Sequence, residues 1–112
     1  MPLLHLAIAR DWDPTAATYG VSTRGHTISE IGFMHASSNT DQLDRVARTF
    51  YAGVDEPLLV LVLSAEILAQ EGFEVRPEPV NPGDSGSEKF PHIYGGDIPT
   101  RAVVDTYPYT RP

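Results

Sequence analysis

The run Pro57-Leu58-Leu59-Val60-Leu61-Val62-Leu63 constrains this chain more than any other stretch. Its apolar residues do not alternate with polar ones, so a strand built from them has no face to offer water. Such a strand reads as central, covered above and below. The rest of the chain must supply both covering layers from short pieces, because 112 residues make one domain rather than two. Hydrophobic residues are 41% of the chain, enough for one real core.

The flanking segments can be read in the same way. Met1 to Ala9 reads as a first strand, with Leu4, Leu6 and Ile8 on one face and Leu3, His5 and Ala7 on the other. Asp11-Trp12-Asp13-Pro14 predicts a short helix, with Asp13 as cap and Tyr19-Gly20 as its end, and Trp12 is assigned to the core. Thr23 to His26 reads as a loop, and Ile31 to Ser37 as a second strand with Phe33, His35 and Ser37 on one face. The clearest helix follows. Asn39 or Thr40 caps it, Leu43, Val46, Ala47 and Phe50 recur at helical spacing, and Gly53 ends it. Its charged residues Asp41, Asp44, Arg45 and Arg48 form a solvated face.

Beyond the apolar run, Ser64 to Leu68 fits one helical turn capped by Ser64, and Phe73 to Pro77 a short strand. Asn81 to Ser87 has the composition of a loop. Phe90 to Gly95 reads as a strand with His92 and Tyr94 on one face and Ile93 turned to the core. A turn at Pro99 to Ala102 and a last strand at Val103 to Tyr107 complete the chain, leaving a Pro-rich end expected to fray. No helix separates every pair of strands. The expected fold class is α+β, a single compact domain with a split or twisted, mainly antiparallel sheet and two or three short helices.

Several function classes are disfavoured. With 15 acidic against 8 basic residues and a net charge of −7, general nucleic-acid binding is not expected. The absence of Cys removes disulfides, thiolate metal sites and Cys nucleophiles, and fits a cytoplasmic protein. No apolar run reaches the roughly 18–20 residues of a membrane span, and the N-terminus lacks the pattern of a signal peptide. There is no Gly-x-Gly-x-x-Gly fingerprint, no phosphate loop and no nucleophile elbow. No two histidines stand at metal-ligand spacing on one helix. Three of them from three strands would have to converge within about 2.0–2.1 Å of one ion, so no metal is expected.

What remains is a set of histidines. His5, His35 and His92 each sit in a strand-like segment, suggesting a shared polar pocket, although a lone strand histidine is more often a satisfied core residue. The segments carrying them form a pattern: Leu4-His5-Leu6-Ala7 with Trp12, Gly32-Phe33-Met34-His35-Ala36-Ser37, Phe50-Tyr51, and Glu88-Lys89-Phe90-Pro91-His92-Ile93-Tyr94-Gly95. In this order the segments resemble the small bacterial family called domain of unknown function 952, over nearly the whole chain. Ile31 stands where that family usually has an acidic residue, and Gly96-Asp97 where it usually has Pro.

The family's fold resembles that of the ADP-ribosyltransferase superfamily, a split sheet clasping NAD in a cleft. The resemblance implies His5 as a ribose ligand, with Ser37 and Tyr94 as further nucleotide-binding groups. It implies His35, His92 and Glu88 as catalytic groups, with NAD as substrate and ADP-ribose transfer or nicotinamide release as the reaction. Catalysis would consist mainly of positioning and of stabilising an oxocarbenium-like transition state. A non-catalytic module binding a small ligand or a protein through the same cleft is the alternative, since fold does not fix function.

Overall fold

The computed structural model describes residues 2–80 and 88–112; the loop expected at Asn81 to Ser87 lies outside the described residues. In chain order the strands and helices are β1 (Pro2–Ile8), β2 (Thr18–Tyr19), β3 (Val21–Thr23), β4 (His26–Thr27), α1 (Ile28–Ile31), β5 (Met34–His35), α2 (Thr40–Phe50), β6 (Leu58–Ser64), α3 (Ala65–Gln70), β7 (Glu74–Pro79), β8 (Lys89–Tyr94), β9 (Ile98–Pro99) and β10 (Val103–Pro108). The radius of gyration is 13.0 Å, close to the ~13 Å of a compact domain of this length.

The apolar run is β6, and it is the middle strand of an antiparallel sheet ordered β1-β6-β10. Its two faces feed two cores. Leu61 and Leu63, with Leu59, pack with Leu3, Ala7, Tyr19, Met34, Ala36 and Ile93. Leu58 and Val60, with Val62, pack with Leu4, Leu6, Ile8, Phe90 and the apolar stripe Leu43, Val46 and Ala47 of α2. β1 therefore divides its side chains as the alternation predicts, one set to each core. α2 begins where Asn39 accepts a hydrogen bond from the Gln42 amide at 2.9 Å, satisfying one of its orphan donors.

The second sheet is ordered β5-β8-β7, also antiparallel. Its joint with the first sheet has a local cause in Pro91. Pro91 lies in the central strand and has no N–H to give. Toward β7 this costs nothing, because the Pro91 backbone faces β5 and its pairing with Pro77 is one that exchanges no backbone bonds. Toward β5, the Pro91 carbonyl accepts from the Ala36 amide at 3.0 Å but no bond returns. The chain leaves the sheet at that point, and Ser37 exchanges two backbone bonds with Leu4 of β1 at 2.7 and 2.8 Å.

Four expectations need correction. No helix forms between Asp13 and Gly20: Asp13 turns the chain by accepting from the Thr15 amide and hydroxyl, and Thr18 and Tyr19 pair with β9. Burying Tyr19 against His5 and Trp12 outweighs a weak local helix. The strand expected from Ile31 is shorter, because Thr27 and Glu30 form a capping box and Gly32 ends a turn of helix at φ 99°. The loop at Thr23 to His26 is a small hairpin between β3 and β4. The C-terminal residues do not fray: the Tyr109 amide donates to the Leu58 carbonyl, its hydroxyl to Asp44, and Arg111 to the Tyr51 carbonyl.

Candidate functional site

Antiparallel register assembles the site. His92 on β8 stands opposite His35 on one side and Arg76 on the other. Glu78 stands opposite Phe90, two residues from His92 and therefore on the same face. On the other face of this sheet Met34 and Ile93 are buried in the core, while Val75 beside Ile93 is exposed. One sheet face thus carries His35, His92, Tyr94, Arg76 and Glu78 together.

The groups are bonded end to end. Oε1 of Glu78 accepts from the Tyr94 hydroxyl at 2.5 Å and lies 3.0 Å from Nδ1 of His92. Nε2 of His92 lies 3.2 Å from Nδ1 of His35. The Tyr94 and His92 contacts hold the Glu78 carboxyl below the usual range against the opposing effect of burial. Burial lowers His92 in spite of its bonds to Glu78, and burial with the neighbouring histidines lowers His35 to about 3.

These protonation states fix every hydrogen. A carboxylate only accepts, so His92 donates from Nδ1. A neutral His92 then has only a lone pair at Nε2, so His35 donates from Nδ1. Nε2 of His35 is left as an acceptor with no partner, although the residue is only 6% exposed. Buried polar atoms are nearly always satisfied, and each exception asks for a reason. The other buried side-chain atom without a partner among the described residues is the Ser22 hydroxyl.

Aromatic rings surround the histidines. Phe33 stacks on His92 with centroids 4.0 Å apart at 17°. Phe50 and Phe90 flank His35 at 5.9 and 5.3 Å. The same two phenylalanines line a cavity of about 240 Å³ with Arg45, Val46, Thr49, Val80 and Glu88. A larger cavity of about 560 Å³ lies elsewhere, lined by Arg10, Arg24 and His26 but also by Asp11, Asp55 and Glu56. Arg10 there is already paired with Glu56 and Asp11. The smaller cavity is the better candidate because two of its lining residues, Phe50 and Phe90, pack against the His35 ring.

The residues expected to form the site are distributed as follows. His35, His92 and Tyr94 are brought together. His92 is buried, at 3% exposure, not partly open as its position after a loop suggests, because β5, β7 and Phe33 cover it. The ring of His5 does not join them. Its Nδ1 donates to the main-chain carbonyl of His35 at 2.8 Å and its Nε2 accepts from the Tyr19 hydroxyl at 3.1 Å. It packs toward the Tyr19 side of the structure, whereas the ring of His35 meets Phe50 and Phe90. The three imidazoles therefore do not converge on one point, and no group of three or more His, Asp or Glu among the described residues is placed to hold a metal.

Ser37 is buried and its backbone makes the joint to β1. Glu88 faces α2, where it pairs with Arg45 and accepts from Gln42 at 3.3 Å. The carboxylate bonded to the histidines is Glu78, which sequence reasoning missed. Its parity with Arg76 and opposite to Val75 was readable, but the register that sets it beside His92 was not. Phe33 and the buried Gln42 were missed as well; Gln42 ties the Ser38 amide to the Lys89 carbonyl.

Comparison with known proteins adds fold and family. The crystal structure of protein CC0527 from Caulobacter crescentus matches with a TM-score of 0.71 at 20% identity, over 96% of this chain and 85% of that one. A double mutant of CC0527 matches with a TM-score of 0.71 at 19% identity, over the same shares. At such identity the likeness is one of fold. No curated protein matches. A family model described as a protein of unknown function (DUF952) matches residues 7–106, a span that takes in His35, Glu78, His92 and Tyr94 and stops short of His5. The chain belongs to the DUF952 family.

Proposed function

We propose that this protein binds NAD or a related nucleotide at the His35–His92 cluster and acts as an ADP-ribosyltransferase-like enzyme. The observation that carries the reading is the buried, unpartnered Nε2 of His35. It calls for a hydrogen-bond donor from outside the fold, and the ribose hydroxyls of a nucleotide are such donors. The cavity of about 240 Å³ lined by Phe50 and Phe90, the rings that flank His35, is below the roughly 300–1,000 Å³ usual for a whole ligand, so it would take one end of a dinucleotide. The resemblance to the ADP-ribosyltransferase superfamily supports NAD among nucleotides, and the absence of Cys agrees with a cytoplasmic setting. In the reaction, the bond between ribose and nicotinamide breaks with its electron pair leaving on nicotinamide. Water or an acceptor hydroxyl adds to the sugar and loses its proton to the site.

One observation favours a second reading, a binding module without turnover. A histidine lowered to about 3 is a good acceptor but a weak base. Thermal-shift titration with NAD, ADP-ribose and nicotinamide tests binding, and release of nicotinamide tests turnover. A ligand at 100 times its dissociation constant should add about 2.7 kcal/mol of stability. Replacing His35 with Ala should weaken that ligand about tenfold or more, the cost of losing one buried hydrogen bond. No shift with any of the three compounds would remove the nucleotide reading.

A further inference from the structure

We infer that Glu78 is a positioning residue which sets, through His92, the nitrogen that His35 presents to a ligand, and that the three side chains form a proton path from the buried site to the surface. This deepens the proposed function in one respect, taking Nε2 of His35 as the ligand-facing atom. Its geometry is independent of which ligand binds.

The path has two links, 3.2 Å from His35 to His92 and 3.0 Å from His92 to Glu78. Its direction follows from its end. Oε1 of Glu78 receives both the Tyr94 hydroxyl and the His92 Nδ1–H, and two donors on one oxygen hold that carboxyl ionised. Both imidazoles are thereby kept in the Nδ1–H form, the tautomer that free histidine disfavours. Two adjacent rings in the disfavoured form need an external constraint. Glu78 supplies it, since His92 bonds no other carboxylate among the described residues.

Proton uptake at Nε2 of His35 then balances without leaving charge in the core. The ligand's donor gives its proton to Nε2, the Nδ1 proton of His35 passes to Nε2 of His92, and the Nδ1 proton of His92 passes to Glu78. Both imidazoles end neutral in the Nε2–H form, and Glu78 ends as a neutral acid. The Glu78 side chain is 34% exposed where His92 is 3%, so the proton can leave to water from Glu78. Phe33, stacked on His92, shields the middle of the path. A weakly basic His35 can thus still hand on a proton.

Histidine nitrogen NMR on the ligand-free protein tests this directly, because protonated and bare ring nitrogens have well-separated shifts. The expected wild-type result is Nδ1–H with bare Nε2 at both His35 and His92. Glu78→Gln, which keeps an accepting oxygen, should preserve this pattern. Glu78→Leu should move both rings together to Nε2–H. Nε2–H at His35 in the wild type overturns the proposal, as does a folded Glu78→Leu in which His35 is unchanged. The wild-type spectrum decides even if Glu78→Leu fails to fold. Failure to bind NAD with the Nδ1–H pattern intact would remove the nucleotide reading and leave the positioning role of Glu78 standing.

Discussion

Both ring nitrogens of His5 are used inside the fold, one on the His35 carbonyl and one on the Tyr19 hydroxyl. Removing either partner leaves a buried polar group without a bond, at about 1–3 kcal/mol each. Tyr19→Phe should therefore cost stability of that order in urea denaturation, and His5→Ala more, since it orphans two groups and opens a cavity. A His5→Ala variant with unchanged stability would mean that its ring is not held as described. The two glutamates separate in the same way. Glu88 is 41% exposed beside Arg45, where solvent screening leaves an ion pair little to contribute. Glu88→Gln should leave both the fold and the histidine tautomers unchanged, and a loss of nicotinamide release in that variant alone would make Glu88, which lines the smaller cavity, a catalytic group. The sequence made His35, His92 and Tyr94 legible as polar residues on strand faces. It could not make Glu78 legible, because a carboxylate fourteen residues away becomes a neighbour only through strand register.

At the scale of elements, β6, α2 and β8 were readable because one strong pattern decides each: an unbroken apolar run, a helical stripe behind an Asn cap, a short apolar run stopped by Gly95. The segments at Asp13 to Gly20 and Ile31 to Ser37 were not, because long-range pairing overrules their weak local preferences. Leu61 tests the first group. It is fully buried between β1 and β10, and Leu61→Ala should cost about 2–5 kcal/mol; a loss below a kilocalorie would contradict a doubly covered central strand. Gly95 tests the end of β8. Its φ is 145°, and a Cβ there would lie 2.6 Å from the Phe73 ring. Gly95→Ala should lower the melting temperature by displacing Phe73, and an unchanged transition would show that the turn tolerates a side chain.

For the whole molecule, the buried histidines make stability depend on pH above the range where carboxylates titrate. His5 is lowered by burial from 6.5 to about 4, His35 to about 3 by burial and its histidine neighbours, and His92 is lowered by burial. Between the unfolded and folded values, the unfolded chain binds protons that the native protein does not. Stability is then full above pH 6.5 and falls as pH drops toward the folded values. Each pH unit of that window removes about 1.4 kcal/mol per group, so His5 alone should remove roughly 2 kcal/mol between pH 6.5 and 5. The depressed carboxyls of Glu78 and Glu88 act lower, their contribution being lost as pH falls below the ordinary glutamate range. Net charge cannot imitate the upper step. The chain carries −7 at neutral pH and approaches its isoelectric point near 4.8, so self-repulsion weakens across that interval and should stabilise the fold. Urea midpoints at steps from pH 7.5 to 4.5 measure the sum, and His5→Gln, which removes one titrating ring, should show a shallower decline than the wild type. A wild-type profile that stays flat down to pH 5 would mean that these histidines are not held neutral in the core.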